Sequence, residues 1–244
     1  MNNFFCSLVC IFLVKSGGKM TSRQKIFIFD YIRIISAFFV FLFHSNLHLG
    51  ISYGIITPFI SVGAIFMTAF FMLSGASLAY NYESKELLTY SEYIKFIKKR
   101  IISIYPGYLV LIVLFFVKLL ITKNFQLGIV QHIVILPIEL SLLQSVFGNS
   151  YSVLHNSGTW FISCILLCYL LFPFLCKLIM QLEIKQLLTI IIIFFCILAW
   201  SPIVEKILSL SWIYPNPFFR IVNFSLGICI IRFYKLITPP RTKV

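Results

Sequence analysis

Charge is the scarcest thing in this sequence. Asp, Glu, Lys and Arg make up 11% of its 244 residues and only seven residues are acidic, where an ordinary soluble domain is roughly a quarter charged. With 60% of residues hydrophobic and a mean hydropathy of +1.00, water is not the solvent for most of the surface, which excludes a soluble enzyme. The twenty basic residues give a net charge of +13, yet they lie between long apolar runs and never form one compact patch, so no nucleic-acid partner is expected. Metal-ligand groupings are missing too. The seven cysteines, Cys6, Cys10, Cys164, Cys168, Cys176, Cys196 and Cys229, sit mostly inside apolar runs with no accompanying Cys/His set. Cys164 and Cys168 are i, i+4 neighbours, but two thiols alone make a poor metal site. No metal is expected, and all seven read as small buried hydrophobes.

What is there instead is a set of runs long enough to cross a bilayer, which takes about twenty mainly apolar residues. Six stand out: 26–47, 55–80, 101–121, 158–176, 187–204 and 217–236. All are expected to be helices, because an open strand edge cannot be satisfied in lipid. With the N-terminus inside, the stretches 15–25, 85–100, 177–185 and 232–243 are cytoplasmic and hold most of the basic residues. Lys118, Lys123, Lys206 and Arg220 are then left outside, with Arg33 inside the first run. The positive-inside rule therefore predicts an all-α, polytopic helix bundle of about six spans with both termini cytoplasmic. The stretch His132–Phe147, with Pro137 and Glu139, is short for a span and reads as an outer interfacial or re-entrant segment. The eleven-residue apolar run Phe4–Val14 has no basic residue before it and is too short to span, whereas Met20, followed by Thr-Ser-Arg-Gln-Lys, reads as a natural cytoplasmic start. No repeat, linker or low-complexity stretch is evident. The expected organisation is a cytoplasmic segment (1–25), one membrane domain (26–236) and a cytoplasmic tail (237–244).

Ionisable groups inside a span are costly and usually do something, and the first run holds Asp30, Arg33 and His44. At about 100° per residue the step from Arg33 to His44 closes three turns plus roughly 20°, so both share one helix face, about 16 Å apart along the axis. Asp30 precedes Arg33 by one turn and Ala37 lies between Arg33 and His44, giving a polar stripe with a small residue in its middle. The plainer alternative is a snorkelling Arg33 paired with Asp30, and a His44 that marks the interface beside Ser45, Asn46 and His48. Further along, Phe70–Gly75 ends the second run in small residues suited to close packing. Lys95, Lys98, Lys99 and Arg100 crowd the inner mouth of the third. Such a cluster suits topology, anionic lipid or the phosphates of a nucleotide-like cofactor.

These segments resemble the integral-membrane acyltransferase 3 family, which includes O-acetyltransferases of bacterial polysaccharides and peptidoglycan. The resemblance rests on five motifs in order: FDYIRIISAFFVFLFH (Phe29–His44) with its R-x10-H, FFMLSG (Phe70–Gly75), KKRIISIYPGY (Lys98–Tyr108), GTWFISCILLCYLLFPFL (Gly158–Leu175) and RIVNFSLGI (Arg220–Ile228). It implies that His44 is the essential histidine and Arg33 its partner. The family's R-x-x-R falls on Arg100–Ser103, with serine at its second position and Lys99 beside it. The resemblance further implies transfer of an acyl group, acetyl above all, from cytoplasmic acyl-CoA to a hydroxyl of an extracytoplasmic carbohydrate, by a multi-pass protein of the bacterial cell membrane. A sugar hydroxyl is a poor nucleophile at neutral pH, so a base must take its proton, and histidine is the natural one. The expected roles are His44 as general base, Arg33 steadying the pantetheine, the thioester or the developing negative charge, Asp30 orienting Arg33, and Arg100 with Lys99 and Lys98 holding the CoA phosphates.

Ser74 and Trp160 are the candidate substrate-side residues, set against a packing role for the first and an aromatic-belt anchor for the second. His132, His155, Asn149 and Asn156 read as solvated outer-loop residues, and Glu139 as interfacial rather than a second acid/base group. Two other classes fit some of these features. A transporter for a lipid-linked sugar also needs a polar face inside a bundle, without an acyl donor. A truncated or inactive family member would explain the short chain and Ser103.

Overall fold

The computed structural model describes residues 22–82, 89–122, 129–147, 155–208 and 213–238. Met20, Cys6, Cys10, Asn149 and the last six residues of the expected tail lie outside these, as does the side chain of His132. The described residues are mostly helical, and among them there is no strand. In chain order they are α1 (Ser22–Leu49), α2 (Thr57–Ile60), α3 (Ile65–Tyr82), α4 (Tyr90–Thr122), α5 (Ile129–Leu140), α6 (Trp160–Met180), α7 (Ile184–Leu208) and α8 (Pro217–Ile237), with 3-10 turns at Gly54–Ile56 and Ser157–Thr159.

Helices α1, α4, α6 and α7 are long and apolar enough to cross a membrane. The second expected span is broken: Gly54–Ile60 and Ile65–Tyr82 meet at 53° across Ser61–Ala64 and make a fifth crossing if taken together. The sixth expected span is α8, which has the length but carries Arg220, Arg232 and Lys235 and is buried almost throughout its middle. A helix enclosed by protein does not need the apolar surface that lipid demands, so composition along α8 is a poor guide to its place. Helix α5 has only twelve residues, too short to cross. Helix α4 runs to thirty-three residues, extending the expected span backwards through the Lys95–Arg100 cluster.

The chain divides into two compact units. The first comprises Met1–Glu83, Cys176–Ile191 and Asn223–Val244. Here α1 ends at Gly50, whose φ of +66° is the left-handed conformation that stops a helix, and its N–H returns to the Asn46 carbonyl at 3.2 Å. Gly63, in the break, is pressed against α1: a Cβ there would lie 2.8 Å from that of Phe43 and 3.0 Å from the Phe39 carbonyl oxygen. Phe39 stacks on Phe66 at 4.6 Å and 6° and meets Phe59 edge-on at 5.3 Å, closing α1 over both arms of the broken segment. Helices α3 and α8 cross backbone to backbone. A Cβ on Gly75 would overlap the Phe224 carbonyl oxygen, and one on Gly227 the Met72 carbonyl oxygen, the close approach that small residues permit between membrane helices. Arg232 donates twice, at 3.0 and 2.8 Å, to the Leu182 carbonyl in the turn after α6.

The second unit comprises Ser84–Leu175 and Ile192–Val222. Its core includes Tyr108, Ile112 and Leu142, with Tyr105, Leu136, Ile162 and Leu166 packed around them. Helix α5 stops because Leu142 adopts φ +59°, a left-handed conformation costly for a leucine. Its N–H bonds the Glu139 carbonyl at 2.9 Å while the Leu143 N–H bonds that of Ile138 at 3.1 Å, the double closure that ends a helix. Burial of the Leu142 side chain at 4% exposure offsets the strain.

Candidate active site

Within the first unit, unbroken α1 carries Asp30, Arg33, Ala37 and His44 on one face, as the spacing predicts. Arg33 Nη1 lies 2.9 Å from Asp30 Oδ1, with 34% and 51% of the two side chains exposed. His44 is exposed as well, its ring parallel to that of His48 at 5.5 Å and 2° and edge-on to Phe43 at 5.2 Å. The stripe is therefore open to a ligand along its length, and His48 extends it by one turn. The sequence pattern suggests only an interfacial role for His48, although its i, i+4 relation to His44 is the signal that places it on this face. The outer end of α1 is held from behind: the Ser45 hydroxyl bonds that of Tyr53 and donates to the Leu42 carbonyl at 2.8 Å, and Asn46 donates to Ile51 at 2.9 Å. Ser74 is half-buried one residue before the Gly75 crossing.

Within the second unit, the three expected cofactor residues differ in setting. Lys98 and Lys99 are exposed, whereas Arg100 is half-buried with its guanidinium 5.2 Å from the Phe96 ring centre and 5.5 Å from that of Tyr169. Phe96 rests in turn on Phe172 at 5.7 Å, so α6 helps to build the groove that steadies Arg100. Ser103 is exposed. Two compliant point charges beside one braced fork make a donor set that fits a phosphate or diphosphate.

A match over most of the chain decides the family: the profile described as an acyltransferase domain matches residues 26–243. The chain belongs to the acyltransferase 3 family. It is a membrane acyltransferase with several membrane-spanning helices. No curated protein and no solved structure gives a significant match.

Several residues of this acyltransferase lie elsewhere than the sequence suggested. Trp160 is buried at 5% exposure, with Tyr214 edge-on at 5.1 Å and the Arg220 guanidinium 5.5 Å from its ring centre. A belt anchor would be half in the headgroups, whereas this indole is enclosed. Arg220 donates from Nε and Nη2 to the Tyr214 carbonyl at 2.9 and 2.6 Å. Glu139 and His155, read as interfacial and solvated, are instead a buried pair: both side chains are 1% exposed and His155 Nδ1 lies 2.5 Å from Glu139 Oε2. Asn156 serves its own turn, accepting the Gly158 N–H at 3.0 Å and the Thr159 hydroxyl on its carbonyl at 2.7 Å. Of the described cysteines, Cys164, Cys168, Cys176 and Cys229 are buried as expected and Cys196 is exposed. It sits on α7, the candidate span with the least burial, where a thiol facing lipid costs little.

Proposed function

We propose that this acyltransferase moves an acetyl group from cytoplasmic acetyl-CoA to a hydroxyl of an extracytoplasmic carbohydrate in a bacterial cell membrane, with both termini cytoplasmic. The observation that carries the reading is the exposed Asp30–Arg33–His44 stripe on one face of a membrane-spanning helix, in a chain of this family. His44 is the general base. Its imidazole accepts the proton of the attacking hydroxyl as the new C–O bond forms, the thioester C–S bond breaks, and the CoA thiolate leaves and takes up a proton. Arg33, held by Asp30 and about three turns from His44, steadies the pantetheine arm of the donor rather than the reacting carbonyl. Arg100, Lys99 and Lys98 hold the CoA phosphates, the arginine as a fork and the lysines as point charges. Ser74 and Trp160 serve the substrate side, Trp160 by shaping the wall that Arg220 and Tyr214 complete.

The test is donor dependence in membranes containing the chain. Acetylated glycan is expected only when acetyl-CoA is supplied on the cytoplasmic side. Glycan that crosses the membrane at the same rate without any acyl donor would make the protein a transporter instead.

A further inference from the structure

The outer end of α1 carries a second imidazole beside the base. His44 and His48 are two of the chain's four histidines, one turn apart on an unbroken helix, and both are exposed. That spacing puts both side chains on one face, with Cβ atoms about 5–6 Å apart. The rings lie parallel, 5.5 Å between centres. A neutral imidazole offers one nitrogen lone pair, and among the described residues the contacts of these two rings are with each other and with the Phe43 ring. The backbone beneath them is braced. The Ser45 hydroxyl bonds that of Tyr53, Asn46 donates to the Ile51 carbonyl at 2.9 Å, and the Gly50 N–H closes on the Asn46 carbonyl at 3.2 Å.

Two imidazoles one helical turn apart are a chelating pair, the spacing that places two zinc ligands on one face of a helix. An ion bound at about 2.0–2.1 Å to one nitrogen of each ring needs ring centres about 5 Å apart, close to the separation here, and exposed side chains complete the approach by turning about their own bonds. The ligand set narrows the ion. Asp30, the acidic residue of α1, lies roughly 21 Å from His44 along the axis, so calcium and magnesium find no carboxylate, whereas imidazole suits zinc, copper and nickel. Among the described residues no third His, Cys, Asp or Glu joins the pair, so water fills the other positions and the ion is exchangeable rather than resident. We infer that His44 and His48 form a site for an exchangeable divalent transition-metal ion, zinc above all, and that its occupation switches transfer off. The ion takes the His44 lone pair that otherwise accepts the hydroxyl proton, and its release restores the base. The inhibition rests on the proposed role of His44; the binding does not.

The experiment uses the full chain with zinc chloride as the probe. Calorimetry in detergent measures zinc binding, and labelled acetyl-CoA given to membranes carrying the chain measures transfer into surface glycan. His44→Gln and His48→Gln are each expected to weaken zinc binding at least tenfold, because the second imidazole acts intramolecularly. Copper in place of zinc is expected to show two nitrogen ligands by electron paramagnetic resonance in the wild-type chain, a reading that needs no variant. Excess zinc is expected to lower wild-type transfer at least tenfold, reversibly with EDTA, and to lower transfer by His48→Gln less than twofold relative to that variant's own ion-free rate. Zinc affinity within twofold of wild type in both variants, or copper without nitrogen ligands, would overturn the site. A wild type that binds zinc through both histidines yet transfers acetyl undiminished would keep the site and remove His44 as the base. A wild type that transfers label but takes up no zinc would do the reverse.

Discussion

At the scale of single residues, function and stability separate cleanly along α1. The Arg33–Asp30 pair is substantially exposed, and such pairs contribute about 0–1 kcal/mol. Arg33→Lys is therefore expected to leave the melting temperature and expression unchanged while lowering transfer at least tenfold, because a point charge does not replace a planar fork that steadies the donor's pantetheine arm. Equal loss of folded protein and activity would instead make the pair structural. Asp30→Asn, which keeps the side-chain volume but weakens the hold on Arg33, is expected to fall between wild type and Arg33→Lys in the same assay. The stripe itself was legible in the sequence, since helix periodicity alone places Arg33 and His44 on one face. The Glu139–His155 pair was not. It joins residues sixteen apart across a helix end set by a leucine in a left-handed conformation, where no glycine signals the stop. The enclosure of Trp160 by Arg220 and Tyr214 depends on residues from another stretch of chain altogether, beyond the reach of any local pattern.

Among helices, the same distinction between local and distant causes holds. Apolar runs marked α1, α4, α6 and α7 well because lipid selects composition directly. The bend between α2 and α3 was hinted at only by Gly63 and Ala64, and α8 has the length of a span while carrying three basic residues, its middle being buried in protein. Two glycines show how much a single position can matter. Gly107 has open space where a Cβ would stand, while Gly227 is pressed onto the Met72 carbonyl. Gly107→Ala is expected to be neutral or stabilising by up to ~1 kcal/mol through backbone entropy. Gly227→Ala must part α3 from α8 and is expected to cost about 1–3 kcal/mol or more, read as a lower melting temperature in detergent. Matching behaviour of the two variants would contradict the crossing.

For the molecule as a whole, exposure must divide the thiols. Cys196 is exposed on α7, and Cys164, Cys168, Cys176 and Cys229 are buried. In a chain with Cys6 and Cys10 replaced by serine, a bilayer-partitioning photolabel, which needs no thiolate, is expected to mark Cys196 and spare the others until the protein is unfolded. Prompt labelling of the buried four in the folded state would contradict the packing of α6 and α8.

The central claim is that an imidazole on the first membrane helix performs acyl transfer. Labelled acetyl-CoA supplied to membranes carrying the chain, with label followed into surface glycan, tests it most directly when wild type and His44→Ala are compared at equal expression. The account predicts label in the wild type and background label in His44→Ala, with the variant inserted and folded as before. Undiminished label in His44→Ala would contradict it.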